Sequence, residues 1–331
     1  MDHTMRIAII GCGGIAHAHA RAYAANNDVC QMVACADVAP QAADAMGREF
    51  ECPAYQDVAT MLDVVRPDAV SICTPPSSHL PMARLAAERG IAVLCEKPLT
   101  RNVSEAQQMV DLVQRSGILF MNGLCHRFHG PVQQARQLIQ DGSLGRLIQF
   151  QNRFAFRFQG VEQRWFTDPE IAGGGILLDT AVHSLDLFRF LVGEVATICA
   201  QTSATLPTQV EDSATLLLRS VDNVIGEISC SWVTPPGEAI VRTYGTEGTL
   251  EIDYNREPNL RYCLAAGGWV QVPFDGPDRF AAETRHFVEC VRDGCQPRVT
   301  VQDGARAIAL IAEAYASAAP ASGAQLSEAA R

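Results

Sequence analysis

Two short stretches carry residue types suited to moving a proton on and off a hydroxyl. The first is Glu96-Lys97-Pro98, directly after the apolar run Ile91 to Cys95. Open parallel sheets bind ligands outside the carboxyl ends of their strands, which puts Lys97 on the reactive edge. A partly desolvated lysine there can exchange a proton near neutrality, or hold positive charge against a developing alkoxide. The second is the stretch Gly173 to Asp186, where an apolar helix is expected over about 176–192, closed by Gly193. Asp179, His183 and Asp186 fall at i, i+4 and i+7 and share one face of it. Charge on an apolar helix is costly without partners. The stripe suits a histidine that takes a hydroxyl proton and a carboxylate that orients it or touches the substrate. A helix-face ion pair beside a satisfied core histidine is the competing reading of the same spacing.

A third stretch suits nucleotide binding. The strand-like run Ile7 to Ile10 ends in Gly11-Cys12-Gly13-Gly14-Ile15-Ala16 and continues into an alanine-rich helix. Gly11 allows the tight turn, Gly13 lets the backbone approach a pyrophosphate, and Ala16 takes the third small position. The helix N-terminus then faces the phosphates with free N–H groups. About 20 positions beyond Ala16, a second apolar run (Gln31 to Ala36) ends at Asp37-Val38, where a carboxylate would hydrogen-bond the adenosine ribose. A carboxylate there repels a 2′-phosphate, and no Arg or Lys follows before Arg48. The expected cofactor is NAD in preference to NADP.

These segments imply an α/β chain of two domains. Residues 1–124 alternate strand and helix patterns, with the continuously apolar run Ala69 to Thr74 stopped at Pro75-Pro76, and read as a doubly wound parallel sheet. Residues 125–331 change character. From Ile148 to Phe158 apolar residues alternate with polar ones, and strand candidates follow from 196 to 272. Helices are expected at about 278–292 and 302–318. The second domain reads as α+β with one large, mainly antiparallel, open sheet, expected to pack against another subunit as a homodimer or homotetramer.

The chain has 331 residues, 48% hydrophobic, with a formal charge of −11 and no basic cluster, so nucleic acid and anionic membrane are not expected partners. Its 12 cysteines are scattered without C-x-x-C or zinc spacing, so no metal is expected and reduced thiols in a cytoplasm fit. Met1 to Met5 carries no basic or apolar leader, and no apolar run reaches about 18 residues.

Taken together, the glycine loop, Asp37, Thr74-Pro75-Pro76 with His79, Glu96-Lys97-Pro98, and Gly174 through His183 with Asp186 resemble the glucose-fructose oxidoreductase, inositol dehydrogenase and rhizopine catabolism (Gfo/Idh/MocA) family. Tyr244 to Leu250 resembles a hairpin usual in its second domain. The resemblance implies a Rossmann domain and a catalytic group of Lys97, Asp179 and His183. It also implies that Thr74, Pro75, Pro76 and His79 border the cofactor beside Gly11, Cys12, Gly13, Gly14, Ile15, Asp37, Val38, Glu96 and Lys97, and that the Lys97–Pro98 peptide is cis. Ser77 stands where many relatives carry Asn. The activity implied is reversible oxidation of a secondary hydroxyl of a sugar, sugar derivative or cyclitol to a ketone. Asp179 would fix Lys97, His183 or both, and either Lys97 or His183 is the formal base. An NAD-using glycosidase without net redox, and a sugar- or nucleotide-sensing regulator, are the alternatives. His126, Arg127, Arg164 and Trp165 are candidate substrate contacts, an arginine being able to hold a carboxylate or phosphate. For the arginines, including Arg153 and Arg157, a polar sheet face or subunit contact is the other reading.

Overall fold

The computed structural model describes residues 4–318; Met1 to His3 and the segment beyond Ala318, both covered by the expectations above, lie outside the described residues. The first half builds one parallel sheet. Its elements in order are β1 (Met5–Ile10), α1 (Gly14–Ala25), β2 (Cys30–Ala36), α2 (Pro40–Glu49), β3 (Ala54–Tyr55), α3 (Val58–Val65), β4 (Ala69–Ile72), α4 (His79–Ala87), β5 (Ala92–Glu96), α5 (Val103–Ser116) and β6 (Phe120–Gly123). The strand order is β3-β2-β1-β4-β5-β6, every pair parallel. Every residue of β4 and β5 is buried, because helices cover both faces, which is why these strands are apolar throughout. Local chemistry sets the helix ends. Asn102 caps α5 by accepting from the N–H of Glu105, and Gly117 closes it in the left-handed region.

The second half contributes α6 (Gly130–Gln140), β7 (Leu147–Arg157), α7 (Pro169–Ala172), a π-helical turn (Leu177–Ala181), α8 (Val182–Leu191) and seven strands: β8 (Val195–Ser203), β9 (Ser213–Ser220), β10 (Ile225–Ser231), β11 (Val233–Gly245), β12 (Gly248–Asp253), β13 (Leu260–Leu264) and β14 (Trp269–Val272). They form an eight-stranded sheet in the order β14-β13-β12-β11-β7-β10-β9-β8. One neighbour pair, β7 with β10, is parallel and the rest are antiparallel. The alternation in β7 led to an antiparallel expectation for this strand. It reports one buried face, not the direction of each neighbour.

The α8 helix covers the inner face, with the Phe150 and Phe188 rings 5.3 Å apart, edge to face. The 23-residue segment Pro169–Leu191 is long and apolar enough to cross a membrane, but 83% of its apolar window is buried inside the fold. On the outer face Leu217, Ile225 and Trp269 are exposed among polar residues such as Gln151, Glu227, Arg242 and Arg261. Two last helices, α9 (Arg279–Asp293) and α10 (Val301–Ala318), return to the first half, α9 against α1 and α10 against α5 and β6, while α10 also packs on α8 and β8, so it bridges the two halves.

Candidate active site

At the end of β1 the chain must turn sharply under the β4 end. Gly11 has φ +88°, and a Cβ there would lie 2.9 Å from the Cys73 carbonyl carbon and the Thr74 nitrogen, so no other residue fits. A Cβ at Gly13 or Gly14 would meet open space, which leaves the α1 N-terminus accessible to a phosphate. Asp37 holds the loop: its Oδ2 accepts from the Cys12 N–H (2.7 Å) and its Oδ1 from the Ala39 N–H (2.8 Å). Two backbone bonds leave this carboxylate free lone pairs for ribose hydroxyls.

Gly13, Gly14, Ile15, Asp37, Val38, Thr74 and Pro75 line a cavity of about 830 Å³, closed from the other side by Phe158, Arg164 and Trp165. It continues into a smaller cavity of about 230 Å³ between Ile15, Thr74, Pro76, Glu96 and Trp165, whose far wall is Lys97 and Asp179. That same pair also walls a third cavity of about 400 Å³, which His126, His183, Tyr254 and Arg279 line.

Lys97 is fixed twice. Its Nζ donates to Asp179 Oδ1 (2.9 Å) and to the Asp179 carbonyl (2.8 Å), while its N–H donates to Glu96 Oε2 (3.0 Å). Glu96 in turn lies 2.8 Å from the buried His19 Nε2. The second oxygen of Asp179 accepts from Thr180 (3.0 Å) and from the indole N–H of Trp232 (3.1 Å). The π-helical turn that carries Asp179 is held from outside: Glu211 accepts from the N–H groups of Gly175 and Leu177 and from the Tyr315 hydroxyl. The Lys97–Pro98 peptide is cis.

The charge states follow from these contacts. Burial opposes the Lys97 ammonium, but the Asp179 carboxylate outweighs it and holds Lys97 above its ordinary value. Burial likewise opposes the Asp179 charge, and Lys97, Trp232 and Thr180 overcome it, holding the carboxyl below its usual range. His183 is pushed well below its ordinary value by burial first, then by His126, Lys97 and Arg279. His126 shifts the same way, through burial and Arg279. At neutral pH the site therefore holds an ammonium, a carboxylate and neutral imidazoles.

Several expectations from spacing are corrected here. Asp179 does not orient His183: its oxygens are taken by Lys97, Thr180 and Trp232, and His183 Nδ1 is buried with no partner. The i, i+4, i+7 stripe instead meets three partners, Asp179 with Lys97, His183 with the His126 ring at 4.4 Å, and Asp186 with Arg127. Arg127, expected as a substrate contact, lines none of the three cavities. It is 8% exposed and is spent on Asp186 and Asp303. Arg164 and Trp165 face the first two cavities, not the third, with the Arg164 guanidinium over the Phe158 ring. His79 is fully buried behind the cavity wall, bridging the Thr74 and Pro98 carbonyls (2.9 Å each), and so supports the cofactor loop without lining it. Cys12 is also buried, its backbone N–H rather than its side chain facing Asp37. His126 does line the third cavity, its Nδ1 2.8 Å from the Tyr254 hydroxyl.

Sequence reasoning missed Trp232, Tyr254, Glu211 and Arg279, none of which lies in a spacing pattern. It also missed a donor set: the ligand atoms of Cys125, His126 and His183 lie within 4.8 Å of one another. Such a set can take a soft divalent ion, but Lys97 and Arg279 stand beside it and like charge opposes a cation there.

Residues 5–124 match the family model described as oxidoreductase family, NAD-binding Rossmann fold (GFO/IDH/MocA), and residues 132–251 match the GFO/IDH/MocA C-terminal domain. The D-apiose dehydrogenase of Paraburkholderia graminis is 30% identical, over 94% of this chain and 87% of its own. The chain belongs to the GFO/IDH/MocA oxidoreductase family. The scyllo-inositol 2-dehydrogenase (NAD(+)) of Bacillus subtilis is 28% identical, over 91% of this chain and 90% of its own. In fold, the chain resembles a levoglucosan dehydrogenase solved in complex with NADH, with a TM-score of 0.90 at 24% identity, covering 96% of this chain and 97% of that one. A GFO/IDH/MocA oxidoreductase is thus an enzyme with an NAD-binding Rossmann sheet. The glycine loop, the Asp37 carboxylate and the buried, unpartnered Thr74 Oγ1 fit such a nucleotide.

Proposed function

We propose that this GFO/IDH/MocA member is an NAD-dependent dehydrogenase that reversibly oxidises a secondary hydroxyl of a sugar, sugar derivative or cyclitol to a ketone. The observation that carries the reading is the Lys97–Asp179 pair on the wall shared by the second and third cavities. A hydroxyl bound in the third cavity would reach Lys97 from one side while the second cavity holds the nicotinamide from the other. The relatives named as D-apiose and scyllo-inositol dehydrogenases support a polyhydroxylated substrate.

The division of labour follows the charge states. N–H groups of Gly13, Gly14 and Ile15 would hold the pyrophosphate, Asp37 the ribose, and Thr74, Pro75 and Pro76 the nicotinamide end. The bound nicotinamide supplies the hydride acceptor. Neutral His183 takes the hydroxyl proton, and the Lys97 ammonium hydrogen-bonds the same oxygen and stabilises its developing charge. Asp179 holds Lys97 in place and keeps it charged. Residues 1–124 would bind the nucleotide and 125–331 the substrate and a second subunit, through the outer face of the eight-stranded sheet, where Leu217, Ile225 and Trp269 are exposed. Light scattering that reports a monomer would refute the homodimer or homotetramer. All 12 cysteines are free, which agrees with a reducing cytoplasm.

The test is nicotinamide reduction followed by absorbance, with NAD or NADP and a panel of inositols, aldoses, sugar acids and sugar phosphates. NAD should be preferred about tenfold or more in kcat/KM, because Asp37 repels a 2′-phosphate. Silence across the panel with NAD bound would sink the dehydrogenase reading.

The pH profile tests the assignment of the base. A base must be unprotonated, and His183 binds its proton only below its ordinary 6.5, so the acid limb of kcat/KM should lie below pH 6.5. Lys97 must stay protonated, and its raised value puts the alkaline limb above pH 10.5. An acid limb that persists unchanged in His183→Asn would assign the base elsewhere.

A further inference from the structure

The third cavity holds one charge with no counter-charge. Lys97 there is neutralised by Asp179 at 2.9 Å, and Glu238 is paired with Arg153. His126 and His183 are neutral for the reasons given above. Arg279, the first residue of α9, remains. Among the described residues it has no ion pair and no hydrogen bond: half-buried, it lies over the Phe280 ring at 5.0 Å, which supplies no counter-charge, and its Nε is buried without a hydrogen-bond partner. Neighbours that could have answered it do not. Asp278 turns its Oδ1 onto the N–H groups of Phe280 and Ala281 as the helix cap. Glu283, one helical turn on, is fully buried, and neither of its oxygens bonds anything. Burial pushes Glu283 far above the carboxylate range, so it carries no charge to offer.

An arginine held unpaired at a cavity wall is unfavourable in the empty protein and becomes favourable when an anion arrives. The planar guanidinium matches a carboxylate with two parallel N–H bonds. The excess is a single positive charge, which a monoanion balances and a phosphate dianion overshoots. A cavity of about 400 Å³ is of a size for a monosaccharide-sized molecule. We propose that the substrate is a sugar or cyclitol acid whose carboxylate is held by Arg279 while its reacting hydroxyl faces Lys97 and His183. This rests on the dehydrogenase reading above and narrows its substrate class.

The experiment compares matched pairs, D-gluconate and D-galacturonate against D-glucose and D-galactose, with glucose 6-phosphate alongside, in the wild-type chain and in Arg279→Gln and Arg279→Lys. Turnover with NAD is read together with calorimetric binding to the NADH complex, and NADH affinity is measured separately as the check on folding. At least one acid should bind about ten- to hundredfold more tightly than its neutral partner, a gap that Arg279→Gln abolishes and Arg279→Lys partly restores. Rising ionic strength should weaken the acid and leave the neutral sugar unchanged. The proposal falls if no acid outbinds its neutral partner, if the phosphate outbinds every carboxylate, or if Arg279→Gln weakens acid and neutral sugar alike. Acid binding that depends on Arg279 without turnover would uphold the carboxylate site and sink the dehydrogenase reading; failure to bind NADH would sink that reading alone.

Discussion

Lys97→Ala is expected to lower kcat for the sugar about a thousandfold while leaving the affinity for NAD within about twofold. The Lys97 ammonium faces the shared cavity wall, whereas the elements that would hold the nucleotide, the Gly11 to Ile15 loop and Asp37, do not depend on it. Removing it strips Asp179 of its counter-ion, and burial alone would then push that carboxyl upward. Two effects would therefore be mixed in the single variant. The Lys97→Ala, Asp179→Asn double variant separates them: thermal stability should recover relative to Lys97→Ala, and turnover should not. Steady-state kinetics with fluorescence titration of NADH makes the comparison. Near-normal turnover in Lys97→Ala would remove the residue from the reaction.

Arg127→Ala should destabilise the fold by about 3–5 kcal/mol, the usual cost of breaking a buried ion pair from one side. Arg127 donates from Nε to Asp186 Oδ2 (2.8 Å), from one terminal nitrogen to Asp186 Oδ1 (2.5 Å) and Asp303 Oδ1 (3.0 Å), and from the other to the Arg298 carbonyl (3.3 Å). Asp186 is 1% exposed, so it has no water to turn to. These bonds tie the β6 end to α8 and to the first turn of α10, where the two sheets meet. The Arg127→Met, Asp186→Leu pair removes both charges and should recover much of the loss. Urea unfolding gives the number. A variant of unchanged stability and a KM raised for the substrate would return Arg127 to the cleft.

The difference between those two residues shows what can be read from the chain alone. Lys97 was legible because its place is local: a strand end in a parallel sheet is at the ligand edge wherever the rest of the protein lies. The same holds for the placement of Gly11, Gly13 and Asp37, which depends on one strand, one turn and one helix start. The period of 2 in β7 and the unbroken apolar runs of β4 and β5 gave the two kinds of sheet, because burial on one face or two is written residue by residue. Arg127 was misplaced because its partners are 59 and 176 positions away, and an arginine beside a cleft has the same local signature whether it is free or paired.

Where the two sheets meet was decided only by the tertiary structure. Their junction brings Trp232 onto Asp179, Glu211 and Tyr315 onto the π-helical turn, and Tyr254 onto His126. With Asp179 in a π-helical turn and its oxygens taken by Lys97, Thr180 and Trp232, no hydrogen bond joins it to His183. The junction also leaves Arg279, an ordinary helix-start residue in the sequence, as the unpaired charge in the third cavity. The physical reason is that backbone conformation and one-sided burial are short-range properties. Which charge meets which depends on the closure of contacts across hundreds of residues, and no spacing pattern records it.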